Sequence, residues 1–516
     1  MQFLIDIALA ILYFCIFLLL CAWSWRFWMM YIGQKYSASL DWIMLEIKLP
    51  REITKSPIAT ETAITGFLQA AGASTIYARN FEGKVPHYGS LEIASIEGVI
   101  HFYIRVQRRF RTLMETNFYA QYPTIEIIES EDYTKLIHFH HLSTDVQFWG
   151  MTYRTGMSWE PWDAKTGSSY PTTDDKGKPI KYKMKADFLP IKTYVDFGLD
   201  KDPKEEYKTD PLTQILEAMG SIGKGEHMWY QVLIQDESVY NGTTKLPKFY
   251  VNEITHEHMS LTQMADARKK QIRNAGHVKA GDVVYNAYGN KETKRVPGPE
   301  VDGKPTTLEV DVTYGFRDEE KGIRALTKDE IKLSQSDKDE LEIINRKMGK
   351  PLAVTLVRLA YVAKKENFNG GQTATTLSFS KLFTGWNKLI PGNLTDPYDY
   401  PWEKMGIKRV YWRAEECFEA YVEREGFYPH VKERKALDKW EDLFFWPSSM
   451  KTRKLFRMVF EAMFYPFEHP NAEGTAMTLN LEEIATLWHL PGAVAATPTL
   501  PRIDSTKGIA PVNLPL

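Results

Sequence analysis

The chain lacks the residue patterns that define several large classes of protein. Its 516 residues include only three cysteines, Cys15, Cys21 and Cys417, which is too few for a disulfide framework and favours a reducing compartment. Acidic and basic residues nearly balance, with a formal net charge of −2, and this excludes a strongly basic nucleic-acid coat. A chain of this length has room for about two to four domains with full cores.

A nucleotide-binding loop is also missing. The stretch "AMGSIGKGEHMWYQVLIQ", residues 218–235, contains a Gly-Lys pair, but Ala218 replaces the first glycine of a P-loop and Gly225 replaces its hydroxyl residue. A helical pattern precedes the glycines and a strand pattern follows, whereas a phosphate loop runs from strand to helix. We therefore expect glycines that end a helix, with a left-handed glycine as its cap, and no ATP hydrolysis.

Other catalytic signatures are absent too. The sequence contains no G-x-S-x-G elbow, no paired-cysteine motif and no G-x-G-x-x-G after a predicted strand. Carboxylates are plentiful, but nothing in the sequence makes two of them converge on a pocket. We therefore expect a protein that is not an enzyme, with no catalytic residue and no cofactor.

The N-terminus carries the longest apolar run. "IALAILYFCIFLLLCAWSW", residues 7–25, is long enough to cross a hydrocarbon core of about 30 Å. Its C-terminal side has a predicted membrane-interface belt with basic residues beside it, made of Trp23, Trp25, Arg26, Trp28 and Tyr31. A cleaved signal peptide would need a basic start and a small-residue cleavage site. We therefore expect residues 1–35 to anchor a single-pass membrane protein, N-terminus outside and body cytoplasmic.

Residues 41–150 alternate between strand and helix patterns. The predicted order is strand 41–49, helix 56–72, a hairpin over 89–106 that turns at Glu97-Gly98, helix 108–122 and strand 124–130. This β-α-β-β-α-β order is typical of the ferredoxin-like, split-βαβ plan. The predicted fold class is therefore α+β, with ferredoxin-like units after a transmembrane helix.

The rest of the chain predicts a second α+β unit and a helix-rich end. The second unit covers 185–385, with strands at 185–199, 226–235 and 351–363, helices at 210–220 and 338–349, and a charged insertion over about 236–337. Residues 386–492 form a helix-rich region, in which Asn480 and Glu483 make a capping box. Residues 493–516 are a Pro-rich, extended tail.

A histidine cluster is the candidate for a metal site. "LIHFHHLS" places His138 and His140 on one face of a predicted strand, and a third ligand could come from His101 in the neighbouring hairpin or from Asp132. The alternative is a run of surface or locally satisfied histidines. We predict no metal site and keep these three residues as the candidates for one.

Four arginines surround the start of the second predicted helix: Arg105, Arg108, Arg109 and Arg111. Cations at a helix N-terminus oppose its dipole, so another interaction could favour them. Anionic lipid or DNA phosphate would suit them, whereas the alternative is a solvated face paired with acidic neighbours. Direct nucleic-acid contact has no further support in the sequence.

Three blocks together resemble a family: "LEIKLPREITKSPIATE", "YGSLEIASIEGVIHFYIRV…FRTLMETNFYAQYPTIEIIESEDYT" and "NLEEIATLWHLPG…TPTLPRIDSTKGIAPVNLPL". They look like the membrane-anchored region that precedes a HerA/FtsK-like ATPase domain in bacterial conjugation and type IV secretion proteins. The resemblance implies a protein of the bacterial inner membrane: a non-catalytic accessory or adaptor module, homo-oligomeric, serving a DNA- or protein-translocating ATPase in trans. The ATPase domain itself is absent from the sequence. The alternative is a membrane-tethered scaffold of the cell envelope without a motor partner.

Overall fold

Helices and strands follow one another in a mixed order along the chain. The computed structural model describes residues 2–50, 53, 55–69, 75, 77–78, 81–84, 87–140, 145–159, 162–163, 168–169, 184–200, 210–236, 250–251, 258–275, 293–297, 307–311, 315–318, 322–325, 335–393, 406–424, 477–492 and 500–503. The helices of these residues are α1 (Gln2–Ala38), α2 (Pro57–Gln69), α3 (Arg111–Gln121), α4 (Pro211–Gly220), α5 (Leu261–Ala275), α6 (Gln335–Met348), α7 (Gly370–Leu382), α8 (Gly406–Glu423) and α9 (Leu481–Leu487), and two 3-10 turns cover Arg108–Phe110 and Tyr133–Leu136.

The strands range from two-residue bridges to a 13-residue strand. They are β1 (Trp42–Pro50), β2 (Tyr88–Ile96), β3 (Val99–Gln107), β4 (Glu126–Ser130), β5 (Val146–Thr155), β6 (Ser158–Trp159), β7 (Trp162–Asp163), β8 (Ser168–Ser169), β9 (Met184–Lys185), β10 (Glu226–Asp236), β11 (Tyr250–Val251), β12 (His258–Met259), β13 (Thr293–Pro297), β14 (Thr307–Asp311), β15 (Gly315–Asp318), β16 (Gly322–Ala325), β17 (Leu352–Lys364), β18 (Leu389–Asn393), β19 (Met477–Asn480) and β20 (Arg502–Ile503).

Contacts divide the chain into two units made of interleaved segments. The first comprises Met1–Met157, Pro190–Tyr250 and Lys350–Leu516, and the second comprises Ser158–Leu189 and Val251–Gly349. The second unit contains the antiparallel pairs β6–β9, β7–β8, β13–β14 and β15–β16. Its helices α5 and α6 are joined by a bidentate ion pair, in which Arg268 Nε and Nη2 lie 2.7 and 3.1 Å from the two carboxylate oxygens of Glu340.

The first unit is organised around one ten-stranded sheet. The order is β18-β5-β17-β10-β2-β3-β1-β20, with β19 also on β17 and β4 also on β1. The pairings are antiparallel except for the short β1–β20 pair. The prediction of an anchor followed by separate ferredoxin-like units is therefore wrong, because strands from both halves of the chain join a single, mostly antiparallel sheet.

The sheet buries both of its faces. One face carries Leu45, Ile93 and Val232 against α2, α3, α4, α7 and α9. The other carries Ala94 and Trp229 against the 3-10 turn Tyr133–Leu136 and helix α8. Because both faces are covered, β10 and β17 are buried along almost their whole length instead of being buried at alternate residues.

The N-terminal segment does not fit the predicted anchor. Its helix, α1, continues beyond the apolar run to Ala38, and its later turns pack on the body, with Ile32 buried and Trp25 edge-on to Phe81 at 6.5 Å. Across the residues that the structure describes, no helix combines the length and the apolarity needed to cross a bilayer. The predictions of a single-pass protein and of an inner-membrane location with a cytoplasmic body are therefore wrong.

Among the local predictions, the hairpin turn is confirmed and two strands are wrong. The predicted hairpin turns at Glu97-Gly98, whose φ angles are +52° and +89°. The predicted strand over 185–199 is wrong, because after β9 the backbone turns, with Thr193 N–H donating to Asp196 Oδ2 at 2.8 Å. The predicted strand at "LIHFHHLS" is also wrong for its described residues, because Leu136 ends a 3-10 turn and residues 137–140 have no regular secondary structure.

Candidate functional site

A row of polar side chains crosses the α8-facing side of the sheet. Because side chains alternate along a strand, one residue from each of six neighbouring strands points to the same face in register. The row runs Glu46, Tyr103, Glu92, Gln231, Arg358, Thr152. We call it the polar row. Polar residues in the middle of a buried sheet face need partners, and α8 with its flanking residues supplies several of them.

The centre of the polar row is an arginine cluster formed by Arg424, Glu92 and Asp132. Arg424 directly follows α8 and has a left-handed backbone, with φ of +56°. Its Nε and Nη2 donate to the two oxygens of Glu92 at 3.1 and 3.0 Å. Its Nη1 and Nη2 donate to Asp132 at 2.5 and 2.9 Å. The side chains of Arg424 and Glu92 are completely buried, whereas Asp132 is 21% exposed.

Glu92 accepts further hydrogen bonds from its own face of the sheet. Tyr133 Oη donates at 2.5 Å, Gln231 Nε2 donates at 3.2 Å, and Ser90 Oγ donates to the other carboxylate oxygen. A buried charge is tolerated when it is paired and hydrogen-bonded in this way. The cluster therefore satisfies its central carboxylate with donors from β2, β10, the 3-10 turn and the end of α8.

The charges of the arginine cluster fix one another's ionisation. Burial alone would raise the pKa of Glu92, but the Arg424 guanidinium and the hydrogen bonds from Ser90 and Tyr133 together hold that pKa below its ordinary value. The same balance of burial against Arg424 lowers the pKa of Asp132. Burial and the adjacent Glu92 carboxylate raise the pKa of Tyr133 well above its usual value. These groups keep one protonation state across the neutral range. They are therefore suited to stabilising the packing of α8 on the sheet and not to transferring protons.

Two backbone N–H groups of the glycine-rich loop between α4 and β10 donate to carboxylates of the chain itself. Gly223 N–H donates to the Glu226 carboxylate, and Gly225 N–H donates to Glu97 Oε1 at 3.0 Å. Helix, loop and strand follow in the predicted order. The predicted left-handed glycine cap is wrong, however, because Ser221 caps α4 with a right-handed helical backbone, and the left-handed residue of the loop is Gly225, with φ of +76°. In a phosphate-binding loop such N–H groups donate to the bound anion, whereas here they donate to carboxylates of the chain itself.

The segment β19–α9 is inserted deeply in the first unit. The predicted capping box is confirmed: Asn480 Oδ1 accepts from Glu483 N–H, and Glu483 Oε2 accepts from Asn480 N–H, both at 2.9 Å. Every residue of α9 is buried. Trp488, fully buried, donates its Nε1–H to the backbone carbonyl of Glu92 at 3.3 Å. The segment is thus tied to the same strand that carries the arginine cluster.

The three candidate metal ligands do not meet. His101 Nδ1 lies 2.7 Å from Glu46 Oε1, and His140 Nε2 lies 3.5 Å from Glu415 Oε1. His138 is exposed. Within the described part of the chain, no group of three or more His, Cys, Asp or Glu side chains has the arrangement of a metal site.

The four arginines lie near one another but have different surroundings. Arg108 contacts Asp41 at 2.6 Å and Glu129 at 3.0 Å, and Arg111 contacts Glu129 at 2.6 Å and Glu115 at 2.8 Å. Arg105 stacks over the Trp42 ring. Arg109 donates to His87 and to Gln107.

The residues predicted to line a membrane interface are partly described. Trp25, Trp28 and Tyr31 are exposed, with Trp28 and Tyr31 6.4 Å apart. The side chains of Trp23 and Arg26 lie outside the described residues.

The arginine cluster is not predictable from the sequence patterns described above. Glu92 did carry a signal, since a carboxylate in the middle of an apolar strand pattern needs a buried partner. Arg424 carried none, because it lies 332 residues away along the chain. Comparisons with known proteins give no name for the site: no family model, no curated protein and no solved structure matches this chain.

Proposed function

We propose that this chain is a non-catalytic accessory module of a translocating ATPase machine of the conjugation, type IV secretion-like class, acting as a homo-oligomer that binds the ATPase in trans. The proposal rests on the resemblance of its sequence blocks to the region that precedes such ATPases. The structural observation that supports it most directly is the tight packing of the C-terminal block "NLEEIATLWHLPG". This block is held in the first unit by the pairing of β19 with β17 and by the buried Trp488.

A segment that is packed on all sides transmits a displacement to the sheet instead of bending independently. This property suits a module that holds or positions a motor, because force on residues beyond Gly492 would reach β17 through the β19 pairing. The closed arginine cluster is in keeping with such a role, since its groups are committed to one another and none is poised near neutral pH for acid–base work.

The test is capture of the partner from the cells in which the chain occurs. An affinity-tagged full chain is cross-linked in vivo, purified and analysed by mass spectrometry for proteins that contain a Walker lysine motif. The matched variant stops after Ile503 and keeps β20, so it lacks residues 504–516, the end of the Pro-rich tail.

We expect a P-loop ATPase to be enriched with the full chain and to be lost or strongly reduced with the shortened variant. Native mass spectrometry of the purified chain should show an oligomer. Capture of envelope proteins without any P-loop ATPase would contradict the proposal and favour the scaffold alternative.

A further inference from the structure

The first half of α1 leaves its hydrophobic side chains in solvent. Nine large hydrophobic side chains in residues 5–20 are 42–67% exposed. Packing on the rest of the first unit occurs in the later turns of the helix, where Trp25 lies edge-on to Phe81 at 6.5 Å and Ile32 is buried. We call residues 5–20 the apolar segment.

The apolar segment presents more hydrophobic surface than a monomeric protein usually leaves in water. Three of the nine side chains are aromatic and six are aliphatic, and at these exposures they present roughly 700 Å² of apolar surface. The largest exposed patch on a typical monomer is about 300–600 Å², whereas a standard protein–protein interface buries about 800 Å² on each partner. The exposed area therefore has the size that an interface between subunits needs.

The distribution of these side chains around the helix sets the number of neighbours. At 3.6 residues per turn the nine positions span an arc of about 220°, from Leu12 at one edge to Ile7 at the other. A helix that packs on one neighbour needs an apolar stripe of about 100°. An arc of twice that width is covered when the helix has a neighbour on either side.

The composition of the apolar segment favours a neighbour of the same kind. Asp6 is the only charged residue among the first 25 of the sequence. A helix that lies on a lipid surface has a strongly charged or polar face opposite its apolar one, and residues 5–20 contain too few polar residues to form such a face. A second copy of the chain presents the same apolar arc, and two apolar surfaces are complementary without any charge to be matched.

We propose that the apolar segment is the interface through which copies of this chain assemble, as a parallel bundle of three or more α1 helices around a common axis. Identical subunits form closed, symmetric assemblies, and rotation about one axis puts equivalent residues of every copy at the same level. Each helix then has one copy on either side, as the width of the arc requires. The bundle rests on the proposed function, because it is the homo-oligomer proposed there, and α1 is the surface on which its copies meet.

The test is sedimentation velocity of the purified full chain over a range of concentrations, for the wild type and for Ile16→Lys. Ile16 lies inside the apolar arc and is 43% exposed. The wild type should sediment as one species of three or more copies. Ile16→Lys should raise the dissociation constant of this species at least about thirtyfold, the loss expected at an interface hot spot, because every copy would bring an unpaired ammonium group into the interface.

The matched control is Ile58→Lys, the same substitution in another helix, α2, at a side chain that is 52% exposed. It should keep the wild-type mass. Both isoleucines are exposed, so neither substitution should disturb the first unit, and hydrogen exchange in β10 peptides should be the same in all three proteins.

A wild-type assembly that Ile16→Lys leaves intact would overturn the α1 interface, while the homo-oligomer of the proposed function would stand on another surface. A monomeric wild type would overturn it too, and flotation of that monomer with phosphatidylcholine vesicles would assign the apolar segment to lipid. Capture of a P-loop ATPase is read in a separate experiment, so neither result is confused with the loss of that partner.

Discussion

Removing the guanidinium of Arg424 should destabilise the first unit far more than removing an exposed arginine. Arg424→Met keeps the length of the side chain but leaves Glu92 charged, fully buried and without its main partner. Breaking a buried ion pair in this way costs about 3–5 kcal/mol. Methionine at position 424 must adopt the same left-handed backbone conformation as arginine. The backbone strain is therefore the same in both proteins and does not offset the loss of the ion pair.

The surface control is Arg108→Met. Arg108 also contacts two carboxylates, Asp41 and Glu129, but its side chain is 49% exposed. Water already solvates those charges, and exposed ion pairs contribute little, so the exchange rates in β2 and β10 should be unchanged within error. The contrast between the two arginines isolates burial as the cause.

A second variant tests the mechanism of the loss. Glu92→Gln in the Arg424→Met background removes the stranded negative charge and retains an amide that can bond to Tyr133 and Ser90. We expect the double variant to be more stable than the sum of the single losses predicts, by about 1–3 kcal/mol.

The assay is hydrogen exchange in peptides from β2 and β10. Since the chain has two units, a single unfolding free energy is not defined for the whole molecule, whereas local exchange reports on the sheet itself. A loss of about 3–5 kcal/mol corresponds to exchange that is roughly a hundredfold to a few thousandfold faster. Equal exchange in Arg424→Met and Arg108→Met would refute the structural importance of the cluster.

Three further outcomes follow from the same unit. Gly98→Ala should cost about 1–3 kcal/mol, measured by hydrogen exchange in peptides from β2 and β3, because φ is +89° and a Cβ would lie 2.8 Å from the Ile222 carbonyl oxygen. Trp488→Ala should lower the stability of the sheet by about 3–5 kcal/mol, measured as faster hydrogen exchange in β10 peptides during a urea titration. Because the pKa values of Glu92 and Asp132 are lowered on folding, their stabilisation should persist above about pH 4 and be lost as the pH falls further; near-ultraviolet circular dichroism should follow this loss.

Short-range patterns predicted the local elements well. The Asn480–Glu483 capping box and the Glu97-Gly98 turn each depend on residues within three positions of one another, and both are present. The ten-stranded sheet could not be read in the same way. Its central pairing of β10 with β17 joins residues more than a hundred positions apart, such as Val232 and Val357, and no local period specifies such a partner.

Charge patterns were the least informative part of the sequence. Arg108 and Arg424 look alike in sequence, yet one is exposed and the other is completely buried. The difference arises because Glu92 and Asp132 lie in elements that meet only in the folded chain. The long apolar run was misleading for a similar reason: its composition predicted an anchor, but composition does not show that the helix continues to Ala38 or that its later turns pack on the body through Ile32.

The most direct test of a binding rather than a hydrolytic role is ATP turnover by the purified full chain beside its Lys224→Ala variant. The Gly223 and Gly225 N–H groups already donate to Glu226 and Glu97, so we predict no turnover above the buffer blank for either protein. Turnover by the wild-type chain that Lys224→Ala abolishes would contradict this role.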